Sequence, residues 1–204
     1  MIDKKQVYQL TGSSLRQLDK EVIKSAIHTI LHGIGENLER DDLNKTPERT
    51  AQMLEEVLSG YYTDPMSIVE GASNPDDGEQ TVIARDITFY SMCEHHMLPF
   101  MGKVHVVFRS DGHIIGLSRI PKIVDLFAHR LTLQERLTMQ IAEFINLLIQ
   151  PKGVAVFIEG FHLCASMRGV KQQDLRLNTS FMLGIYKDDP LARMEVTQII
   201  TKTS

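Results

Sequence analysis

Between residues 14 and 31 the apolar positions Leu15, Leu18, Val22, Ala26, Ile27, Ile30 and Leu31 recur at the spacing of one helical face. Ser13 or Ser14 stands where a cap belongs, and Gly33 and Gly35 stand where the helix should end. A second helix is expected from Thr46-Pro47-Glu48-Arg49, with Thr46 as N-cap, Pro47 at the first helical position and Glu48 in the first turn. Met53, Leu54, Val57 and Leu58 carry its apolar stripe towards Gly60.

After the acidic, turn-rich stretch 71–78 the pattern changes from helical to strand-like. That stretch is taken as the boundary between a helical arm, residues 1–80, and a main domain, residues 81–204. Residues 81–90 and 103–109 are rich in β-branched and aromatic side chains, and Asp111-Gly112 signals a turn after the second run. Two helices follow at 119–130 and 133–149, the latter carrying Leu133, Leu137, Ile141, Phe144, Ile145 and Leu148 on one stripe. Residues 154–159 and 177–186 read as two further strands. The order ββααββ predicts an α+β fold, a mostly antiparallel sheet with two helices on one face. Such a sheet has edges to cover, and closing several subunits into a barrel would remove them.

Composition narrows the class. Hydrophobic residues make up 43% of the 204 positions and charged residues 24%, the profile of a soluble domain. The sequence has no 18-residue apolar run and no signal-like N-terminus, so the expected setting is cytoplasmic, with no membrane partner. The net charge of −4 divides unevenly. Residues 1–80 hold 8 basic against 15 acidic side chains, a balance of −7, and residues 81–204 hold 14 against 11, a balance of +3. The second part suits a small anionic substrate. Without a dense basic run, nucleic acid is not an expected partner.

The two cysteines of the chain each sit beside a histidine, in Cys93-Glu94-His95-His96 and in His162-Leu163-Cys164. A lone cysteine is ordinarily a small apolar core residue. Two of them, each with an imidazole close by, read instead as a mixed sulfur and nitrogen site for Zn(2+), with Cys93, His96 and Cys164 as ligands. Spacing alone does not decide between His95 and His96. Three protein ligands would leave a position open for water, as catalytic sites do. In an extended His162-x-Cys164 the two side chains would share one face. His95 and His162 are candidates for proton transfer. Arg168 follows the second motif, and Ser118, Arg119 and Lys122 open a helix, an arrangement suited to phosphate. Glu135, after Gln134, is either a favourable first-turn acid or a carboxylate for the donor edge of a purine.

These segments resemble the GTP cyclohydrolase I family. The matching residues run from Ser91 through Cys93-Glu94-His95-His96 to Val106, and include Gly116-Leu117-Ser118, Phe127-Ala128-His129-Arg130 and Gln134-Glu135-Arg136-Leu137-Thr138. They continue through Glu159, His162, Cys164, Arg168-Gly169-Val170 and Thr179-Ser180, with Thr46-Pro47-Glu48-Arg49 upstream. The resemblance implies the tunnelling fold, with an N-terminal helical arm. It implies subunits closing into a barrel and a decamer of two stacked pentamers, with active sites between subunits. The implied reaction takes GTP and water to 7,8-dihydroneopterin triphosphate and formate. By position, zinc would lie on Cys93, His96 and Cys164, and His95 and His162 would move protons. Gln134 and Glu135 would hold the guanine edge, and Ser118, Arg119, Lys122 and Arg168 the ribose and triphosphate.

The sequence departs from the family pattern at the phosphate end. Arg119 and Lys122 exchange the usual Lys and Arg, which moves the forked guanidinium. Gln52 stands where a lysine is usual, Ala165 replaces a common Met, and Leu175 and Leu177 replace hydroxyl residues. These departures motivate two alternatives. One is a diverged paralogue acting on another guanine nucleotide or stopping at a ring-opened formamide. The other is a non-catalytic, zinc-containing nucleotide-binding subunit.

Overall fold

The computed structural model describes residues 3–13, 15, 17–70, 73–75 and 78–201. Its first element is a helix the apolar pattern does not announce, α1 (Lys4–Thr11). The Asp3 carboxylate accepts from the Lys5 backbone N–H at its start, and Gly12, at φ 59°, turns the chain out of it. The next helix, α2 (Lys20–Gly33), begins later than the periodicity suggested. Leu15 has a φ of 52°, which no helix accommodates, and the cap is Asp19, which accepts from Val22 N at 3.0 Å. Ser13 instead donates to the carbonyl of Thr63, and Ser14 lies outside the described residues.

In α3 (Thr46–Val57) Thr46 is already helical, and Lys45 before it provides no side-chain cap. The chain then tightens into a 3₁₀ turn, Ser59–Tyr61. Gly60 is required there, because a Cβ would stand 2.4 Å from the Leu126 carbonyl oxygen. After α4 (Met66–Val69), the strand β1 (Ser73–Pro75) falls inside the turn-rich stretch, while Asp76 and Asp77 lie outside the described residues.

The main sheet is built from β2 (Thr81–Cys93) and β3 (Pro99–Arg109), followed by the short β4 (His113–Ile115), which pairs with β1. Then come α5 (Arg119–Ala128), β5 (Leu131–Thr132), α6 (Gln134–Ile149) and β6 (Gly153–His162). The chain ends in α7 (Leu163–Ser166), β7 (Leu177–Gly184), α8 (Ile185–Asp188) and α9 (Pro190–Thr201). The five-stranded order is β5-β2-β3-β6-β7, antiparallel except for β5 on β2. The two edges are unequal: β5 covers only Met92 and Cys93, and β7 presents eight residues.

Alternation along the strands sorts the core. Val104, Val106 and Phe108 of β3 and Val154, Val156 and Ile158 of β6 face Ile123, Phe127, Leu137, Ile141, Phe144 and Ile145 of α5 and α6. Each such large side chain, fully buried, contributes about 1.5–3 kcal/mol. Val107 and Ala155 point the other way and are covered by Tyr186, Val196 and Ile200. The C-terminal helix α9 thus adds a layer that the sequence pattern did not predict. Because both faces of β3 and β6 are apolar, one layer of helices could not shield them. Arg130, a buried residue whose guanidinium donates to the carbonyls of Thr11 and Gly60, ties α1 and the 3₁₀ turn to the end of α5.

Candidate functional site

Strand β2 ends at Cys93, and residues 94–98 reverse the chain into β3. The reversal is fixed by Cys93 N to Leu98 O at 2.9 Å and Met97 N to Cys93 O at 2.8 Å, with Met97 at φ 53°. Glu94 N donates to Thr132 O at 3.2 Å, tying the loop to β5. The Arg136 guanidinium bonds both oxygens of Glu94 and holds its carboxyl below the usual range. This tie was not anticipated, because the two residues are 42 positions apart.

At this end of the sheet the ligand atoms of Cys93, His96 and Cys164 lie within 4.8 Å of one another. Cys93 is buried, Cys164 half-buried and His96 exposed, and both thiols are free. Burial, and then the neighbouring Cys93, push the Cys164 thiol up. Two thiols crowded against an imidazole are stable as neutral groups, or as thiolates around a cation. The donor set therefore fits a borderline divalent metal. Of the two adjacent histidines, His96 is the one that joins the cluster. His95 is exposed, with its ring centroid 6.2 Å from that of His96.

Cys164 is not in an extended strand. His162 ends β6, and Cys164 belongs to the one-turn helix α7, so the shared-face expectation for His162-x-Cys164 is corrected. The helical turn swings the thiol back towards Cys93. The His162 ring stacks on Phe100, its cross-strand partner, with centroids 4.7 Å apart and planes 6° from parallel. Its Nε2 lies 2.9 Å from Gln134 Oε1. Burial lowers the His162 pKa, and the Glu135 carboxylate acts against that.

Glu135 is exposed in the first turn of α6, whereas Gln134 is 1% exposed with its amide spent inside the protein. Arg168 is exposed and close enough to Cys164 to favour its thiolate. Leu175 and Leu177 are exposed, and Arg176 lies over the Phe161 ring at 4.6 Å. Gln52 is turned along α3 to Glu48, at 3.2 Å.

Ser118, Arg119 and Lys122 are not brought to this cluster. They stand at the start of α5, whose far end leads into β5 and Cys93; the ten-residue helix is about 15 Å long. Arg119 donates to the Ser67 carbonyl at 2.9 Å. Lys122 lines a separate cavity of about 220 Å³ with Ser59, Asp125 and His129.

Comparisons with known proteins place these residues in context. The family model for GTP cyclohydrolase I matches residues 23–201. GTP cyclohydrolase 1 of Chlorobaculum tepidum is 45% identical over 185 residues, covering 89% of this chain and 83% of the relative. The enzyme of the same name from Caldanaerobacter subterraneus is 45% identical over 184 residues, covering 90% of this chain and 97% of that one. A Pseudomonas aeruginosa protein, GTP cyclohydrolase 1 1, is 45% identical over 174 residues, covering 85% and 94%. The matched span takes in the whole cluster and both helices that flank it, and the chain belongs to the GTP cyclohydrolase I family.

Proposed function

We propose that the protein is a zinc-dependent hydrolase converting GTP and water to 7,8-dihydroneopterin triphosphate and formate, acting in the cytoplasm as a homo-oligomer. The observation that carries this reading is the convergence of Cys93, His96 and Cys164 beside His162 in a chain of this family. Sulfur and nitrogen donors together favour zinc over harder cations, and three of them leave an open position. When bound there, the ion supplies Lewis acidity to a water nucleophile.

The remaining work belongs to side chains of the protein. Glu135 accepts the paired N–H donors of the guanine edge, which an exposed carboxylate at a helix start can do without repacking the core. His162 holds a proton for N7 as the imidazole ring opens and C8 leaves as formate, and His95 is the second proton carrier. Arg168 takes the phosphate end on the same chain.

The reading requires a second copy. Ser118, Arg119 and Lys122 sit a helix length from their own cluster, so they serve the triphosphate at a neighbour's. In support, α2 buries none of its residues within the chain, leaving Val22 and Ile30 exposed, and the sheet has open edges. Subunits of this tunnelling fold would join those edges into a five-membered barrel, with two rings meeting through the arms to give a decamer.

The test is to incubate protein of known metal content with GTP and follow formate and dihydropterin absorbance together. Both products, in proportion to bound zinc, are expected. Zinc-loaded protein that releases neither refutes the reading, and formate without pterin restricts it to ring opening.

A further inference from the structure

We infer that Gln134 is the positioning residue of His162, and that its side chain does not contact the base. This rests on the reading of His162 as the proton donor. The Gln134 side chain is 1% exposed, and every atom of its amide is committed. Nε2 lies 3.1 Å from Ile158 O, 2.8 Å from Leu177 O and 3.1 Å from Thr179 Oγ1. Two of these are carbonyl oxygens, which only accept, so the NH₂ group must face them. The amide oxygen is therefore the atom that meets His162, and His162 Nε2 must be the donor in that contact.

The orientation is locked from a second side. Thr138 Oγ1 donates its hydrogen to the backbone carbonyl of Gln134 at 2.7 Å. In the 2.7 Å contact between Thr138 and Thr179 the hydrogen must then come from Thr179, which turns the Thr179 lone pairs towards Gln134 Nε2, whose two hydrogens are shared among three acceptors. The result is a closed circuit that starts and ends on Gln134. With Phe100 stacked on its face and Nε2–H held by Gln134, the His162 ring has one orientation. Nδ1 is then the nitrogen not bound by the protein among the described residues. Gly160 admits the contact: a Cβ there would stand 2.1 Å from Gln134 Oε1 and 3.3 Å from His162 Nε2.

The experiment compares Gln134→Leu, Gly160→Ala and His162→Ala in the zinc-loaded oligomer, measuring zinc content, kcat and the KM for GTP. Gln134→Leu is expected to lower kcat by roughly 10- to 100-fold, the range seen when a group orienting a reactive side chain is removed. KM should change by less than about threefold, with zinc retained, since a residue acting only through His162 leaves ground-state binding intact. Gly160→Ala, which forces the amide away from His162, should lower kcat in the same sense and add nothing in the double variant. It decides the matter if Gln134→Leu does not fold. A raised KM with unchanged kcat would make Gln134 a base contact and overturn the inference, as would wild-type kcat in the folded variants. If those keep their kcat while His162→Ala loses turnover, the inference about Gln134 alone fails. If His162→Ala keeps full turnover, the assignment of His162 as proton donor fails first.

Discussion

Arg136, in the first turn of α6, grips the carboxylate of Glu94 in the loop that carries His95 and His96, with Nη2 and Oε1 3.2 Å apart. One end of the longest helix is thereby fastened to the turn between two metal-ligand candidates. Removing the guanidinium frees that turn without touching a ligand. Arg136→Ala should weaken zinc retention about tenfold, the usual size of an outer-layer effect, while leaving the fold intact. Competition with a chromophoric chelator measures it, and unchanged retention would show that the turn is held by its backbone bonds alone.

The same pair gives a pH dependence with a definite sign. Arg136 lowers the Glu94 pKa from its ordinary value of 4.5. Its contribution is therefore present above pH 4.5 and is lost as pH falls through the lower, folded-state value. The difference in Tm between the wild type and Glu94→Gln should be constant near neutrality and close in acid. A difference that widened on acidification would contradict the assignment.

Substitution at the cluster should separate metal from chemistry. Cys164→Ala is expected to abolish metal binding, whereas His162→Ala keeps zinc and loses turnover. Glu135→Ala should weaken guanine recognition with zinc unchanged. Metal analysis alongside formate release distinguishes the three, and a zinc-replete, active Cys164→Ala would refute the ligand set.

If the triphosphate is held by a neighbour, two inactive variants should rescue each other. Chains carrying Cys164→Ala lack a working cluster, and chains carrying Arg119→Ala lack a phosphate contact. In mixed oligomers some sites pair the intact cluster of one chain with the intact Arg119 of another. Co-expression should restore a fraction of wild-type activity. Mixtures no more active than the parents would place both functions on one chain.

Arg130 predicts a stability effect rather than a catalytic one. Arg130 is 6% exposed, and its guanidinium bonds the carbonyls of Thr11 and Gly60, with no carboxylate paired to it among the described residues. Arg130→Leu should cost about 2–4 kcal/mol, because two buried carbonyls lose charge-assisted partners. Thermal melting reports the loss, and cleavage after Thr11 in limited proteolysis should appear first.

Legibility from sequence followed the range of the forces involved. The 133–149 stripe of Leu137, Ile141, Phe144 and Leu148 marks α6 within a residue, because local periodicity and core packing agree there. Helix α1 escaped notice: eight largely polar residues held by Asp3, Gly12 and the distant Arg130 leave little local pattern. The start of α2 was misplaced because Leu15 and Leu18 keep the apolar rhythm while the Leu15 backbone leaves the helical region. The pairing of Cys93 with Cys164 was readable because the chain uses cysteine nowhere else, whereas the fold is what brings His96 rather than His95 to them. The hold on His162 was not readable. It depends on the missing Cβ of Gly160 and on the register that sets Phe100 opposite His162, neither of which has a local signature.

The unequal edges of the sheet carry a consequence for assembly. Residues 81–90 of β2 on one side and β7 on the other differ in length and in side chains, so a contact joining one to the other would be heterologous. If copies join in that way, as the proposed barrel requires, each added copy repeats the same rotation, and the series closes or grows without end. What selects closure is the local bend of each strand, and β2 carries such a bend where its register with β3 shifts between Ala84 and Ile87, at Asp86 with φ 58°. In the proposed barrel, a substitution that straightened this bulge should therefore shift assembly from a closed ring towards an open filament.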